Sequence, residues 1–166
     1  MVTDLPKIDP SLIGILEQVS DPEIPVLSVL DLGVIREAIL KENTVYIKLT
    51  PTYTGCPAMD TISADLKIIF QKNKFNCEID LILSPAWTTD WLSPKGKAKL
   101  EAYGIAAPLG EEQDKRALLD GEKIVKCTHC QSTNTKVISQ FGSTACKALF
   151  QCQDCLEPFD YFKCLK

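Results

Sequence analysis

The chain has 166 residues, of which 45% are hydrophobic and 24% charged, and its formal charge is −4. That composition suits a soluble globular protein with room for one ordinary domain, or a modest domain beside a small one. No apolar run approaches the ~18 residues a membrane helix needs. The N-terminal "MVTDLPKIDP" has no basic region followed by an apolar core, so a cytoplasmic protein with reduced thiols is expected.

Asp9-Pro10 is a helix start, with Asp as cap and Pro in the first turn. Leu12, Ile15, Leu16 and Val19 then follow helical spacing up to about Ser20, where Asp21-Pro22 stops the helix. "DPEIPVLSVLDLG" (21–33), with two prolines and a closing glycine, reads as a loop. "GVIREAIL" (33–40) and "TVYIKLT" (44–50) read as strands joined through "KEN". Pro57 opens a second helix with Ile62, Leu66, Ile69 and Phe70 as its apolar stripe. "FNCEIDLIL" (75–83) alternates as a third strand, with Cys77, Ile79, Leu81 and Leu83 on its inner face. Cys77 is there a small buried hydrophobe. Trp87 and Trp91 in "PAWTTDW" read as cover for the sheet. "SPKGKAKLEAYG" (93–104) is a capped helix ending at Gly104. The order predicts a small α+β domain over residues 1–105, with helices packed over one sheet.

Residues 106–121 are charged, carry Pro108, Gly110 and Gly121, and read as a linker with at most a helical turn around "QDKRALL". Residues 122–166 hold six of the eight cysteines. "CTHC" (127–130) and "CQDC" (152–155), with 21 residues between them, supply four soft ligands in the pattern of a zinc ribbon. Cys127, Cys130, Cys152 and Cys155 are the expected ligands, and "TKVISQF", "KALFQC" and "FDYFKCL" the ribbon's strands. Zinc is the expected metal; four thiolates also suit an iron–sulfur cluster. Cys146 and Cys164 are read as packed thiols, with replacement of a ligand or a second metal as the alternative. His129, inside the first pair, is not expected to be a ligand.

Charge separates two functional readings. Residues 1–121 carry −6 and residues 122–166 carry +2, which four thiolates around one divalent ion would cancel. No basic surface then remains for phosphates, against a nucleic-acid-binding ribbon. A cysteine-nucleophile enzyme lacks its usual base, because the one histidine lies in the ribbon.

The remaining cysteine lies in "PTYTGCPAM" (51–59). With Pro57 as first helical residue, Cys56 is placed at the N-cap, facing unsatisfied N–H groups and the positive end of the helix dipole, a setting that favours thiolate. Its bland role is a weak cap. Gly55 permits a tight entry, and Thr50, Thr52 and Thr54 add hydroxyls.

"DPEIPVLSVLDLGVI", "TPTYTGCPAM" and "SPAWTTDWLSPKGKAKL" together resemble the SufT/PaaD-type family of iron–sulfur assembly domains, over residues 9 to 105. The cysteine-rich tail resembles the extension carried by the family's phenylacetate-linked branch. The resemblance implies an accessory protein that helps install or maintain metal centres in a client of the phenylacetyl-CoA epoxidase system. The client would be its iron–sulfur reductase subunit or, second, its di-iron oxygenase. The family's motif residues fall on Asp21, Pro22, Glu23, Thr50, Thr52 and Cys56, with Cys56 the reactive residue. Asp21 and Glu23 are expected near the thiol, as hard ligands or proton acceptors. A lone thiol suits a transient carrier of iron or a cluster, or a site completed by a homodimer.

Overall fold

Two separate apolar sets organise the chain. The computed structural model describes residues 5–163, and they fall into two compact units, Met1–Trp87 and Thr88–Lys166.

In the first unit, the Asp9 carboxylate accepts the Ser11 N–H at 3.0 Å, and a 3-10 turn over Pro10–Leu12 leads into α1 (Ile13–Leu16). Leu12, Leu16 and Val19 are buried, as their spacing predicts. The stretch read as a loop contains one helical turn, α2 (Val29–Leu32). It is fixed by a capping box in which Ser28 Oγ accepts the Asp31 N–H and Asp31 Oδ2 accepts the Ser28 N–H. Gly33, at φ +69°, ends it in the left-handed region.

The sheet has the order β1 (Lys7–Ile8), β2 (Ile35–Lys41), β3 (Thr44–Leu49), β4 (Asn76–Leu81). β2 and β3 are an antiparallel hairpin; β1 joins β2, and β4 joins β3, in parallel. Val45, Ile47 and Leu49 alternate inward from β3, while Tyr46 and Lys48 face out, where Lys48 pairs with Glu37 at 3.1 Å. β3 and β4 are connected through α3 (Ala58–Lys72), whose Ala58, Met59, Ile62, Leu66 and Phe70 are buried at i, i+4 spacing. Ile69 is only half-buried. β4 also departs from its expected inner face: Cys77 and Ile79 are half-buried, but Leu81 and Leu83 are 50% and 62% exposed. β4 lies at the edge of this sheet and its regular pairing ends at Leu81, so the layer packed on the sheet covers its inner face less fully than that of β3. Trp87 is buried, and its indole N–H donates to the Leu32 carbonyl at 2.8 Å.

The second unit starts at Thr88 and so takes in the last eighteen residues (88–105) of the first domain expected from sequence. α4 (Pro94–Tyr103) runs from its Ser93 cap to Gly104 as predicted. The two residues that follow, β5 (Ile105–Ala106), pair in parallel with β8 (Pro158–Phe162) and so belong to the ribbon's sheet. That sheet has the order β5, β8, β7 (Lys147–Cys152), β6 (Thr135–Ser139). The segment read as a linker is folded: α5 (Glu111–Lys115) continues into a wider turn over Arg116–Asp120 and buries Asp114 and Ala117. Ala117, Val125, Ala148, Phe150, Phe159 and Tyr161 form the core, with the Phe150 ring 5.9 Å from Phe159 and 5.3 Å from Tyr161.

Asp114 ties these pieces together. Its carboxylate accepts hydrogen bonds from the Tyr161 hydroxyl, the Thr89 hydroxyl at 3.1 Å and the Leu109 N–H at 3.0 Å. Burial pushes its carboxyl above the ordinary 3.8, against those hydrogen bonds. Asp114→Ala strands three donors and is expected to cost about 2–4 kcal/mol in urea unfolding of the metal-loaded protein. A carboxyl with a raised folded pKa favours folding below its ordinary range, and loses that contribution as pH rises through the raised value. Asp114→Asn cannot titrate, so its stability relative to wild type should climb across that acid window.

Candidate functional site

The loop 50–57 leaves the carboxyl end of β3 and enters α3, a position where open α/β sheets place their chemistry. Thr50 donates its N–H to the Val34 carbonyl at 2.8 Å, anchoring the loop to the start of the hairpin. Its side-chain hydroxyl is buried and has no partner among the described residues. Gly55 takes φ +79° with open space around it, so the turn's backbone, not crowding, calls for glycine. Cys56 donates its N–H to the Tyr53 carbonyl, and its own carbonyl accepts from the Met59 N–H, both at 3.2 Å.

Cys56 lies one residue earlier relative to the helix than the sequence reading places it. α3 begins at Ala58, the cap position is Pro57, and no side chain caps the helix. The Cys56 residue is 8% exposed, between the exposed Gly55 and Pro57. The Thr52 hydroxyl lies 3.8 Å from its sulfur, oriented to donate to it.

The "DPE" loop has its own order. Asp21 Oδ1 accepts the N–H groups of Glu23 and Ile24 at 2.7 and 2.8 Å, and the Asp21 N–H donates to the Leu27 carbonyl at 2.9 Å. Asp21 is buried and Glu23 half-buried. Beside this loop a groove of about 410 Å³ is lined by Asp21, Pro22 and Pro25 and, from α3, by Asp65, Ile68 and Lys72. Thr52 and Cys56 are thus joined by a direct contact, while one oxygen of Asp21 is committed to the loop's own backbone.

In the second unit, the sulfur atoms of Cys127, Cys130, Cys152 and Cys155 all lie within 4.8 Å of one another. Two cross-pairs are at 3.7 Å (Cys127 to Cys155) and 3.5 Å (Cys130 to Cys152). Thiolates 2.3 Å from a tetrahedral zinc ion stand about 3.8 Å apart, so the spacing and the donor set both fit such an ion. Backbone N–H groups already point at the sulfurs: His129 to Cys127 at 3.3 Å, and Asp154 and Cys155 to Cys152 at 3.4 and 3.5 Å. The Cys155 N–H leads in pulling the Cys152 thiol down to about 7. His129 contributes its backbone, and its ring is not in the group.

The other cysteines stand apart from it. Cys146 is buried, with its sulfur 3.1 Å from the Thr144 hydroxyl. Burial pushes the Cys77 thiol up to about 11. Cys164 lies outside the described residues. The sequence reading overlooked the polar residues around the knuckles: Asp154 accepts from Ser132 Oγ at 2.5 Å and from Asn134 Nδ2 at 2.7 Å. "CQDC" shows the aspartate, but nothing in sequence links it to residues 20 and 22 positions earlier.

Residues 11–68 match the family described as "Iron-sulfur cluster assembly protein", and residues 111–163 the family described as "PaaD zinc beta ribbon domain". The chain is 45% identical to a protein of Escherichia coli (strain K12) named as a putative 1,2-phenylacetyl-CoA epoxidase subunit, over 92% of this chain and 90% of that one. The chain belongs to the PaaD family. A second relative of this PaaD-family chain, "Fe-S protein maturation auxiliary factor" of Porphyromonas gingivalis (strain ATCC BAA-308 / W83), is 33% identical and covers 57% of this chain and 91% of its own. The crystal structure of a DUF59 domain from Bacillus anthracis is 30% identical, with a TM-score of 0.51, over 54% of this chain and 88% of that one. The short relatives thus span about half of the chain, and the Escherichia coli relative nearly all of it. No helix among the described residues is long and apolar enough to cross a membrane.

Metal loading should divide the eight cysteines. With one equivalent of zinc, four thiols are expected to resist alkylation, and mass spectrometry should map them to Cys127, Cys130, Cys152 and Cys155. A chelator should expose all four and unfold the ribbon, since a structural site of this kind contributes about 10–16 kcal/mol.

Proposed function

We propose that this chain is an accessory maturation factor of the phenylacetyl-CoA epoxidase system, handing iron or an iron–sulfur unit to a client protein through Cys56. The observation that carries this reading is the joining, in one chain, of an iron–sulfur assembly domain and the PaaD ribbon, at 45% identity to a protein named as an epoxidase subunit. The iron–sulfur reductase is the first client, and the di-iron oxygenase the second.

The two kinds of cysteine site suit different tasks. Four converging thiolates hold a metal firmly, and zinc, bound by Cys127, Cys130, Cys152 and Cys155, would serve the ribbon as architecture. A single thiol has no chelating neighbours of its own kind, so whatever it binds can leave. Cys56 would act as that exchangeable ligand, with iron or a cluster as cargo. The Thr52 hydroxyl at 3.8 Å steadies the sulfur. Asp21 would hold the "DPE" loop in shape through its bonds to Glu23 and Ile24, and the Glu23 carboxylate would serve as a hard ligand or proton acceptor when a client docks. A second copy of the chain, bringing a second Cys56, is the alternative way to complete a cluster site.

The test is Cys56→Ser in cells that depend on this protein for growth on phenylacetate. Epoxidase activity is expected to fall more than about tenfold while the purified variant keeps its zinc and its melting temperature. Wild-type flux in that variant would overturn the reading. Thr52→Val should give an intermediate loss, because it removes the hydroxyl and leaves the thiol.

A further inference from the structure

We infer that Asp154 is a positioning residue for the ribbon's metal: its carboxylate clasps the two cysteine turns together and so sets how tightly they hold the ion. Two sulfur pairs each join one turn to the other, at 3.7 and 3.5 Å. Whatever else holds the turns in that register adds to the free energy with which they bind the ion.

The clasp is continuous from one turn to the other. The Cys127 N–H donates to the Ser132 carbonyl at 2.8 Å. Ser132 Oγ donates to Asp154 Oδ2, and Asn134 Nδ2 donates to Asp154 Oδ1 at 2.7 Å. The Asp154 N–H then points at Cys152 Sγ at 3.4 Å. Asn134 is itself braced: its N–H donates to Ser132 Oγ at 3.0 Å, its carbonyl accepts the Gln153 N–H at 2.8 Å, and its Oδ1 accepts from Lys123 Nζ at 2.6 Å. Asp154 thus holds the far turn with both of its oxygens, while its own backbone aims at a sulfur.

Residues in this position act on metals by orienting the ligands, and their loss typically weakens binding about 10–100-fold. The carboxylate is exposed, so its hydrogen bonds alone would matter little to a fold already closed. The effect arises because binding and closing of the turns are one equilibrium.

The full-length protein is titrated with cobalt(II), then with zinc in competition with a chromogenic chelator. Asp154→Ala should weaken zinc binding about 10–100-fold, and its cobalt complex should show weaker, shifted visible bands, the mark of a loosened tetrahedron. Asp154→Asn should restore affinity to within a few-fold of wild type, since its amide can accept from Asn134 and donate to Ser132. Ser132→Ala, which leaves Asp154 in place, covers the case in which Asp154→Ala does not fold, and should lose several-fold. Wild-type affinity and cobalt spectrum in Asp154→Ala, or in Ser132→Ala if the former is unfolded, would overturn the inference. The same holds for a variant with lowered thermal stability but an unchanged spectrum and affinity. This inference rests on the ribbon's metal reading: absence of a cobalt complex in the wild-type protein would overturn both, whereas the variant results bear on Asp154 alone.

Discussion

Four sulfur atoms, from two turns separated by 21 residues, must meet within 4.8 Å for the second unit to close. Everything else in that unit is arranged around this demand. β6 and β7 form the hairpin that carries the chain from one turn to the other, and β8 returns along β7. The core beneath is small, built on Phe150, Phe159 and Tyr161. The loops that carry the cysteines gain from a cross-link stronger than apolar burial. Soft ligands in reach of one ion supply it. The buried Asp114 network and the β5 strand extend the platform with groups that lie well before the first cysteine of the ribbon.

The first unit follows a different logic. Its sheet and helices are closed by apolar residues at regular spacing, with no metal group among its described residues. Cys56 is buried with that apolar set, and Cys77 is half-buried on β4. The β3–α3 connection holds Cys56 by its backbone, through Tyr53 and Met59, and by the Thr52 hydroxyl at its sulfur. Four thiols thus converge in the second unit, while Cys56 belongs to no such group among the described residues.

Features with a period or a short motif were legible in sequence: the inward alternation of Val45, Ile47 and Leu49, the i, i+4 run of Ile62, Leu66 and Phe70, the Ser93 cap and Gly104 stop of α4, and the paired cysteines. Features set by distant partners were not. Ile105–Ala106 reads as the seam between the first domain and a linker because its reason to be a strand lies 55 residues further on, in β8. Asp114 looks like one more charge in a polar run, yet Tyr161 and Thr89 draw it inside. Leu81 and Leu83 continue an inward alternation, but they lie at the end of an edge strand and stay exposed. The capping box at Ser28 and Asp31 was readable, and two nearby prolines obscured it. At Cys56 the residue types could be identified, but the offset of one position from the cap depends on how Pro57 enters α3. The contact with Thr52 could not be read from spacing.

The last strand of the first sheet carries Glu78 and Asp80 at alternate positions of one face, Asp80 exposed and Glu78 largely so. Were two copies to join these strands antiparallel, as isolated sheet ends tend to do, carboxylates would confront carboxylates across the seam. Acidity at this strand therefore disfavours a continuous sheet running across two copies of it.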